Sequence, residues 1–91
     1  MSMRKPRDLE RIFKGVANHR RIEIVLLLAK KPELSVDEIA TELDVELKNA
    51  SQHLQKLSIA GLVMKRHEGN TVRHALTHRG KSILEFARIL V

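Results

Sequence analysis

Residues 46–60 carry a run of hydrogen-bonding side chains in which the only acid, Glu46, stands at the start. Apolar residues recur through the run at steps of three and four, at Leu47, Ala50, Leu54 and Leu57. This spacing predicts a helix that turns these residues inward. The opposite side then carries Lys48, Asn49, Gln52, Gln55, Lys56 and one aliphatic residue, Ile59. Asparagine and glutamine can make two hydrogen bonds to an adenine edge, and lysine can bond guanine or phosphate. The pattern therefore indicates a face that can contact the base edges of a DNA duplex.

The position of each side chain along this helix predicts its role. In a helix-turn-helix the N-terminal part of the second helix enters the major groove. The residues predicted to read bases are therefore Lys48, Asn49, Ser51 and Gln52, although Ser51, on the flank, could equally bind phosphate. Gln55 and Lys56 come later and are expected to touch the DNA backbone, while His53 on the flank is expected to bond a phosphate or another group of the protein. The alternative is a solvated face, but ordinary exposed helices mix glutamate with lysine, and this one does not.

A second basic segment follows, with the pattern of a β-hairpin. Residues 62–67 and 71–76 are typical of two short strands, and Glu68-Gly69-Asn70 between them is rich in residues that accept a positive φ. The hairpin carries Lys65, Arg66, His67, Arg73 and His74. A wing beside the recognition helix would set these residues against the phosphate backbone or the minor groove, and Lys65, Arg66 and Arg73 are the predicted DNA contacts. Basic wing tips suit contacts to the phosphate backbone, which give affinity without sequence information. The same charges also protect an exposed strand edge from pairing with another chain.

Five helices must position these two segments, and capping residues predict where they begin and end. The first helix is expected near Asp8, the second after Asn18, and the third at Ser35, where Glu38 completes a capping box. Gly61 ends the fourth, and Thr77 caps the last. The predicted fold is mainly α with a small β-hairpin: a winged helix-turn-helix in one domain over residues 1–91. Its expected parts are a flexible basic N-terminus at 1–7, the helix-turn-helix at 35–60, the wing at 62–76 and a C-terminal dimerisation helix at 77–91.

The apolar residues exceed what one small core needs. The second helix is expected to bury a stripe of apolar residues, with Leu28 at its edge. The members of that stripe are Ile22, Val25, Leu26 and Ala29. The last helix has more apolar positions than one inward stripe requires, and the first is amphipathic and basic. Both are therefore predicted to meet a second copy of the chain in a two-fold homodimer. The expected interface residues are Leu9, Ile12, Phe13, Ile83, Phe86 and Leu90.

Composition narrows the function classes. The 91-residue chain has a net charge of +6, and a basic surface favours polyanions such as nucleic acid. Phe13 and Phe86 are its only aromatic residues, which almost excludes base stacking. The absence of cysteine excludes disulfides and thiolate metal sites, and no apolar run is long enough to span a membrane. The sequence contains no recognisable catalytic triad, paired carboxylates or glycine-rich phosphate loop. We therefore expect a cytoplasmic protein that is not an enzyme.

Residues 10–76 resemble the ArsR/SmtB family of winged-helix repressors. The segment from Phe13 to Ile22 is similar to the family's F-x-x-L-A-x-x-x-R-x-x-I opening, with Val16 in the leucine position. Residues 50–57 and 60–63 match its S-x-H-L-x-x-L-x-x-A-G-L-V core. The resemblance implies a homodimer, built from the first and last helices, that represses transcription by binding a two-fold symmetric operator in double-stranded DNA.

The resemblance also implies sensing, and here the chain departs from the family. Metal-sensing members place two cysteines at the start of the third helix, where this chain has Ser35 and Asp37. A second family site uses aspartate and histidine on the last helix, which here offers only His78 and Glu85 in poor spacing. We therefore expect no metal and no cofactor, and the effector remains unknown from the sequence.

Two other functions compete with this interpretation. A winged helix can serve protein assembly, and Ile59 together with the apolar last helix would suit that role. A ligand- or metal-responsive switch could use ligands other than cysteine, and His67, His74 and His78 around the wing are the candidates.

Overall fold

The computed structural model describes residues 5–91 of the chain. Five helices and one antiparallel two-stranded sheet follow each other in the predicted order, and the winged helix-turn-helix fold class is confirmed. The elements are α1 (Pro6–Val16), α2 (His19–Lys30), α3 (Val36–Leu43), α4 (Leu47–Ile59), β1 (Val63–Glu68), β2 (Thr71–Leu76) and α5 (His78–Leu90). Within residues 5–91, no helix is long and apolar enough to cross a membrane.

Side-chain caps fix the starts of α2, α3 and α5 as predicted. Asn18 accepts hydrogen bonds from the backbone N–H groups of Arg20 and Arg21, at 2.9 and 3.2 Å. The capping box of α3 is complete, because the Ser35 hydroxyl accepts from the Glu38 N–H while the Glu38 carboxylate accepts from the Ser35 N–H. These bonds to the charged carboxylate lower the pKa of Glu38. The helix starts are therefore set by local chemistry that the sequence displays.

The first helix begins at Pro6, two residues before the predicted start. Proline suits the first position of a helix because its fixed φ is already helical and its missing N–H would be unpaired there anyway. The prediction of a flexible basic segment over residues 1–7 is therefore wrong for Pro6 and Arg7. The part of that prediction that concerns residues 1–4 lies outside the described residues.

The second helix is rotated relative to the prediction. Its buried residues are Ile24, Val25 and Leu28, whereas Ile22 and Leu26 are exposed. Ala29 is exposed as well. The predicted stripe is therefore wrong except for Val25. The helix is apolar on two sides, and a periodicity of 3.6 residues does not say which side faces the core and which side is free.

The core lies between α2, α3, α4, the base of the hairpin and α5. Its largest fully buried side chains are Ile24, Leu28, Ile39, Leu54, Leu57 and Leu62. In α4 the predicted inward residues Ala50, Leu54 and Leu57 are buried, but Leu47 is 49% exposed. Leu47 is the first residue of the helix, after an extended Glu46, so the core covers the inward side only from Ala50 onward. The rotation of α4 about its axis is nevertheless as predicted.

The hairpin is tighter than predicted. Glu68 pairs with Thr71, which leaves a two-residue turn of Gly69 and Asn70, with Gly69 at a φ of 61°. The predicted three-residue turn and the predicted strand start at Leu62 are each wrong by one residue. Leu34 adds an isolated bridge to β2, because the backbone N–H and C=O of His74 bond Leu34 and Glu33 at 2.9 Å. The segment before α3 is thus joined to the wing.

Candidate nucleic-acid interface

A tight turn between α3 and α4 sets the direction of the candidate recognition helix. Asp44 ends α3 in the left-handed conformation, at a φ of 54°, and Val45 donates its N–H to the carbonyl of Ala40 at 3.0 Å. Aspartate is one of the few residues other than glycine that tolerate this conformation. Burial of Ala50, Leu54 and Leu57 then fixes which side of α4 faces outward.

The outer face of α4 presents the side chains that the sequence assigned to it. Apart from Leu47 at its start, the exposed residues of α4 are Lys48, Asn49, Ser51, Gln52, Gln55, Lys56 and Ile59. Within residues 5–91, neither Lys48 nor Lys56 takes part in an ion pair. A face of free amides and ammonium groups can donate hydrogen bonds to base edges and phosphates without first releasing an internal partner.

His53 lies half-buried on the flank of α4. Burial lowers the pKa of its imidazole, and the nearby cations Arg21, His19, Arg20 and Lys56 lower it further. The ring is therefore held neutral near pH 7, where it can donate one hydrogen bond to a phosphate but contributes no charge. The side chains of Arg20, Arg21 and Lys56 place positive charge near this flank of the helix.

The structure divides the three basic residues of the wing into two groups. Lys65 is exposed and, among the described residues, forms no ion pair. Arg66 instead holds Glu33, with its Nε 2.6 Å from a carboxylate oxygen. Arg73 donates to Glu68 at 3.1 Å and to Glu38 at 3.3 Å. Both arginines tie the wing to the start of α3, and Lys65 is the better placed for a phosphate.

These ion pairs shift the pKa values of the residues that form them. The hydrogen bond from Arg73 lowers the pKa of Glu68, and the hydrogen bond to Glu33 raises the pKa of Arg66. Arg66, Glu68 and Glu38 are exposed, and water and salt screen ion pairs at the protein surface. A DNA phosphate can therefore compete for either arginine. Sequence reasoning missed the pairing because Glu33 and Glu38 lie more than 30 residues away from their partners.

His74 is not available to DNA or to a metal. Its side chain is only 4% exposed, and Nδ1 lies 3.0 Å from the carbonyl oxygen of Leu34, which can only accept, so the proton is on Nδ1. Burial lowers the pKa of this ring. The expectation that His74 joins the exposed basic wing is wrong. Nor does the structure place His67, His74 and His78 together, since residues 5–91 contain no group of three or more histidines and carboxylates that could hold a metal ion.

A second candidate surface is an apolar hollow of about 190 Å³ between α1, α2 and α5. Four of the predicted interface residues line it: Phe13, Ile83, Phe86 and Leu90. Leu9 is not among the lining residues, and Ile12 packs against the core beside Ile59 and Ala60. Ile22 and Leu26, which the apolar spacing places in the core, line the same hollow. The apolar hollow therefore extends onto α2, where no interface residue is predicted from the sequence.

Comparisons with known proteins show what this arrangement is similar to. A family model described as a helix-turn-helix domain matches residues 16–66. The arsenical resistance operon repressor of Escherichia coli (strain K12) is 38% identical over 66 residues, which are 72% of this chain and 56% of that protein. The chain spans 56–63% of the length of the first curated relatives it matches.

Solved structures extend the similarity to nearly the whole chain. HlyU from Vibrio cholerae N16961 superposes with a TM-score of 0.83 at 34% identity and covers 97% of both chains. The homodimeric winged helix-turn-helix DNA-binding domain of a possible ArsR-family transcriptional regulator from Mycobacterium bovis superposes with a TM-score of 0.81 at 31% identity. That alignment covers 99% of this chain and 89% of the other.

Proposed function

We propose that this chain binds a specific operator in double-stranded DNA. The premise is that it belongs to the ArsR family of winged helix-turn-helix transcriptional regulators. One observation carries the proposal. The outer face of α4 exposes Lys48, Asn49 and Gln52, while the opposite side is locked by buried Ala50, Leu54 and Leu57. A helix held in this rotation can enter the major groove with these three side chains toward the bases. Ser51 supports base reading from the flank, and Lys65 supports it from the wing by binding a phosphate.

The proposed active form is a homodimer that covers the apolar hollow between α1, α2 and α5. Every residue that lines the hollow is apolar, and Phe13, Leu26 and Phe86 are each about half exposed in the single chain. A contiguous apolar surface of this kind marks an interface. A two-fold dimer sets two recognition helices about 34 Å apart, one turn of DNA, and so requires a two-fold symmetric operator.

Repression is the proposed outcome of binding, as the name of the arsenical relative states for that protein. A dimer bound to promoter DNA keeps other proteins from binding the same site. This steric effect requires no catalysis, metal or cofactor. We place this function in the cytoplasm, where a bacterial chromosome lies. A second candidate function is a protein-interaction module, and one observation favours it: Ile59, at the end of α4, is 77% exposed.

Selection of bound duplexes from a random DNA pool tests the proposal. We expect enrichment of a palindrome whose half-sites lie about 10 base pairs apart, centre to centre, because each half-site meets one α4. The selection is run with and without a chelator, and we expect the same palindrome in both. A pool that stays random after repeated rounds would contradict DNA reading and favour the interaction module. Enrichment that disappears with the chelator would contradict metal-independent binding.

A further inference from the structure

A basic hollow of about 210 Å³ lies beside the recognition helix, between α1, the start of α2 and the C-terminal half of α4. Its rim carries the long side chains of Arg11, Lys14, Arg21 and Lys56. Gly15, Ile59 and Ala60 complete its lining. The sequence analysis assigned none of these residues to a site except Lys56.

The close approach of two helices creates the hollow. A Cβ atom at Gly15 would lie 2.3 Å from the Cβ of Ala60, so α1 can cross α4 at this depth only because residue 15 has no side chain. The two backbones meet at this point, and the basic side chains rise around it. Gly15 is therefore needed for the close approach of α1 to α4, and not for a turn or a positive φ.

Two of the four cations have no partner on the described chain. Arg11 pairs with Asp8 at 3.3 Å, and Lys14 pairs with Glu10 at 3.1 Å. Among residues 5–91, by contrast, neither the Arg21 guanidinium nor the Lys56 ammonium pairs with an acid. The Nε of Arg21 is moreover buried without a hydrogen-bond partner. Because this Nε is enclosed by the protein, an anion from outside the chain can reach the guanidinium only through its two terminal nitrogens.

The hollow continues the flank of the candidate DNA-binding face. Lys56 lies seven residues after Asn49 and three after His53, so the three side chains share one side of α4. Two cations of the hollow, Arg21 and Lys56, are also among the groups that disfavour a charge on His53. Positive potential is therefore concentrated next to the side chains that face the groove.

We propose that this hollow binds a backbone phosphate of the DNA, with Arg21 and Lys56 as its donors. The inference rests on the proposed function and adds a contact to it. The planar guanidinium of Arg21 can offer two N–H groups to one phosphate, and Lys56 supplies a second charge. A phosphate held at this point fixes how α4 sits along the groove, which positions the base-reading residues but carries no sequence information itself.

Salt titrations of DNA affinity test the contact with two substitutions, Arg21→Gln and Lys56→Gln. Each phosphate neutralised contributes about 0.9 to the slope of log affinity against log salt, and a dimer holds two copies of the hollow. We expect Arg21→Gln to make the slope shallower by about 1.8, equally for operator and for random DNA. Arg21→Lys is expected to restore most of the slope, because it restores the charge.

Lys30→Gln is the matched control. It removes one exposed positive charge from the same helix, α2, but at the opposite end from Arg21. We expect it to leave the salt slope unchanged. Lys56→Gln covers the case in which Arg21→Gln does not fold, because Lys56 is exposed and its replacement disturbs no packing.

The possible outcomes separate this inference from the proposed function. If both glutamine variants keep the wild-type slope while the wild type still selects an operator, the phosphate site is wrong and the regulator stands. If the wild type selects no operator, the proposed function itself fails. NMR of the Arg21 Nε–H distinguishes DNA from a free anion. We expect operator DNA to shift this resonance, and a shift with inorganic phosphate alone that DNA does not reproduce would overturn the assignment.

Discussion

Replacing Phe86 with glutamate is expected to give a folded monomer whose operator affinity is lower by about 10²–10⁴-fold. Phe86 lines the apolar hollow with Phe13 and Leu90, and half of its surface is exposed in the single chain. Its removal therefore does little to the core. A carboxylate facing a second copy must lose its water without gaining a partner, which strongly disfavours the dimer. Two linked half-site contacts then become two independent ones, and the affinity advantage of linking them is lost.

Light scattering and operator binding, measured on the same preparation, check this expectation. Lys81→Gln is the matched control, because it lowers the net charge by the same one unit from an exposed position elsewhere on α5. Phe86→Leu keeps the apolar contact and should remain dimeric. A Phe86→Glu protein that is still a dimer, or a monomer that binds the operator as tightly as the wild type, would contradict the proposed interface.

Adding a single methyl group at Gly80 is expected to destabilise the fold by about 2 kcal/mol or more, near the upper part of the range for overpacked cores. A Cβ atom at this position would lie 2.2 Å from the carbonyl oxygen of Leu62. That oxygen belongs to the backbone, so it cannot rotate away, and it also accepts the N–H of Thr77 at 3.0 Å. Moving α5 outward to make room would break this bond. This destabilisation outweighs the stabilisation of about 1 kcal/mol that replacing glycine with alanine normally gives inside a helix.

Urea denaturation at one fixed protein concentration measures the effect, because the stability of a dimer depends on concentration. Ser82→Ala is the control, since it places an alanine on the exposed side of the same helix and should change stability by less than about 0.5 kcal/mol. The close packing of α5 against Leu62 is refuted if Gly80→Ala proves as stable as the wild type. For a domain of this size, the expected loss corresponds to a melting temperature lower by roughly 10 °C.

The parts of this fold that local chemistry determines could be predicted from the sequence. Asn18, Ser35 with Glu38, and Thr77 start their helices through hydrogen bonds to residues two or three positions away. The rotation of α4 was predictable for a related reason. Only one of its sides is apolar, so the burial of Ala50, Leu54 and Leu57 leaves Lys48 and Gln52 outside.

The parts that depend on distant neighbours could not be predicted. The second helix has two apolar sides, and only the three-dimensional packing shows that Ile24 faces the core while Ile22 lines the exposed apolar hollow. The ion pairs of Arg66 and Arg73, and the burial of His74, arise because the segment at Glu33 and Leu34 joins β2. Nothing in the local sequence around the wing indicates this contact.

Competition binding with a Gln52→Ala variant tests most directly whether the outer face of α4 reads bases. The measured quantity is the ratio of affinities for the selected palindrome and for a scrambled duplex. Gln55→Ala removes the same side chain one turn later and serves as the control. A bidentate base contact is worth about 1–3 kcal/mol, and a dimer makes one in each half-site, so we expect Gln52→Ala to lower the ratio by at least about 30-fold, and Gln55→Ala to leave it nearly unchanged. A Gln52→Ala protein that discriminates between the two duplexes as well as the wild type would contradict the account.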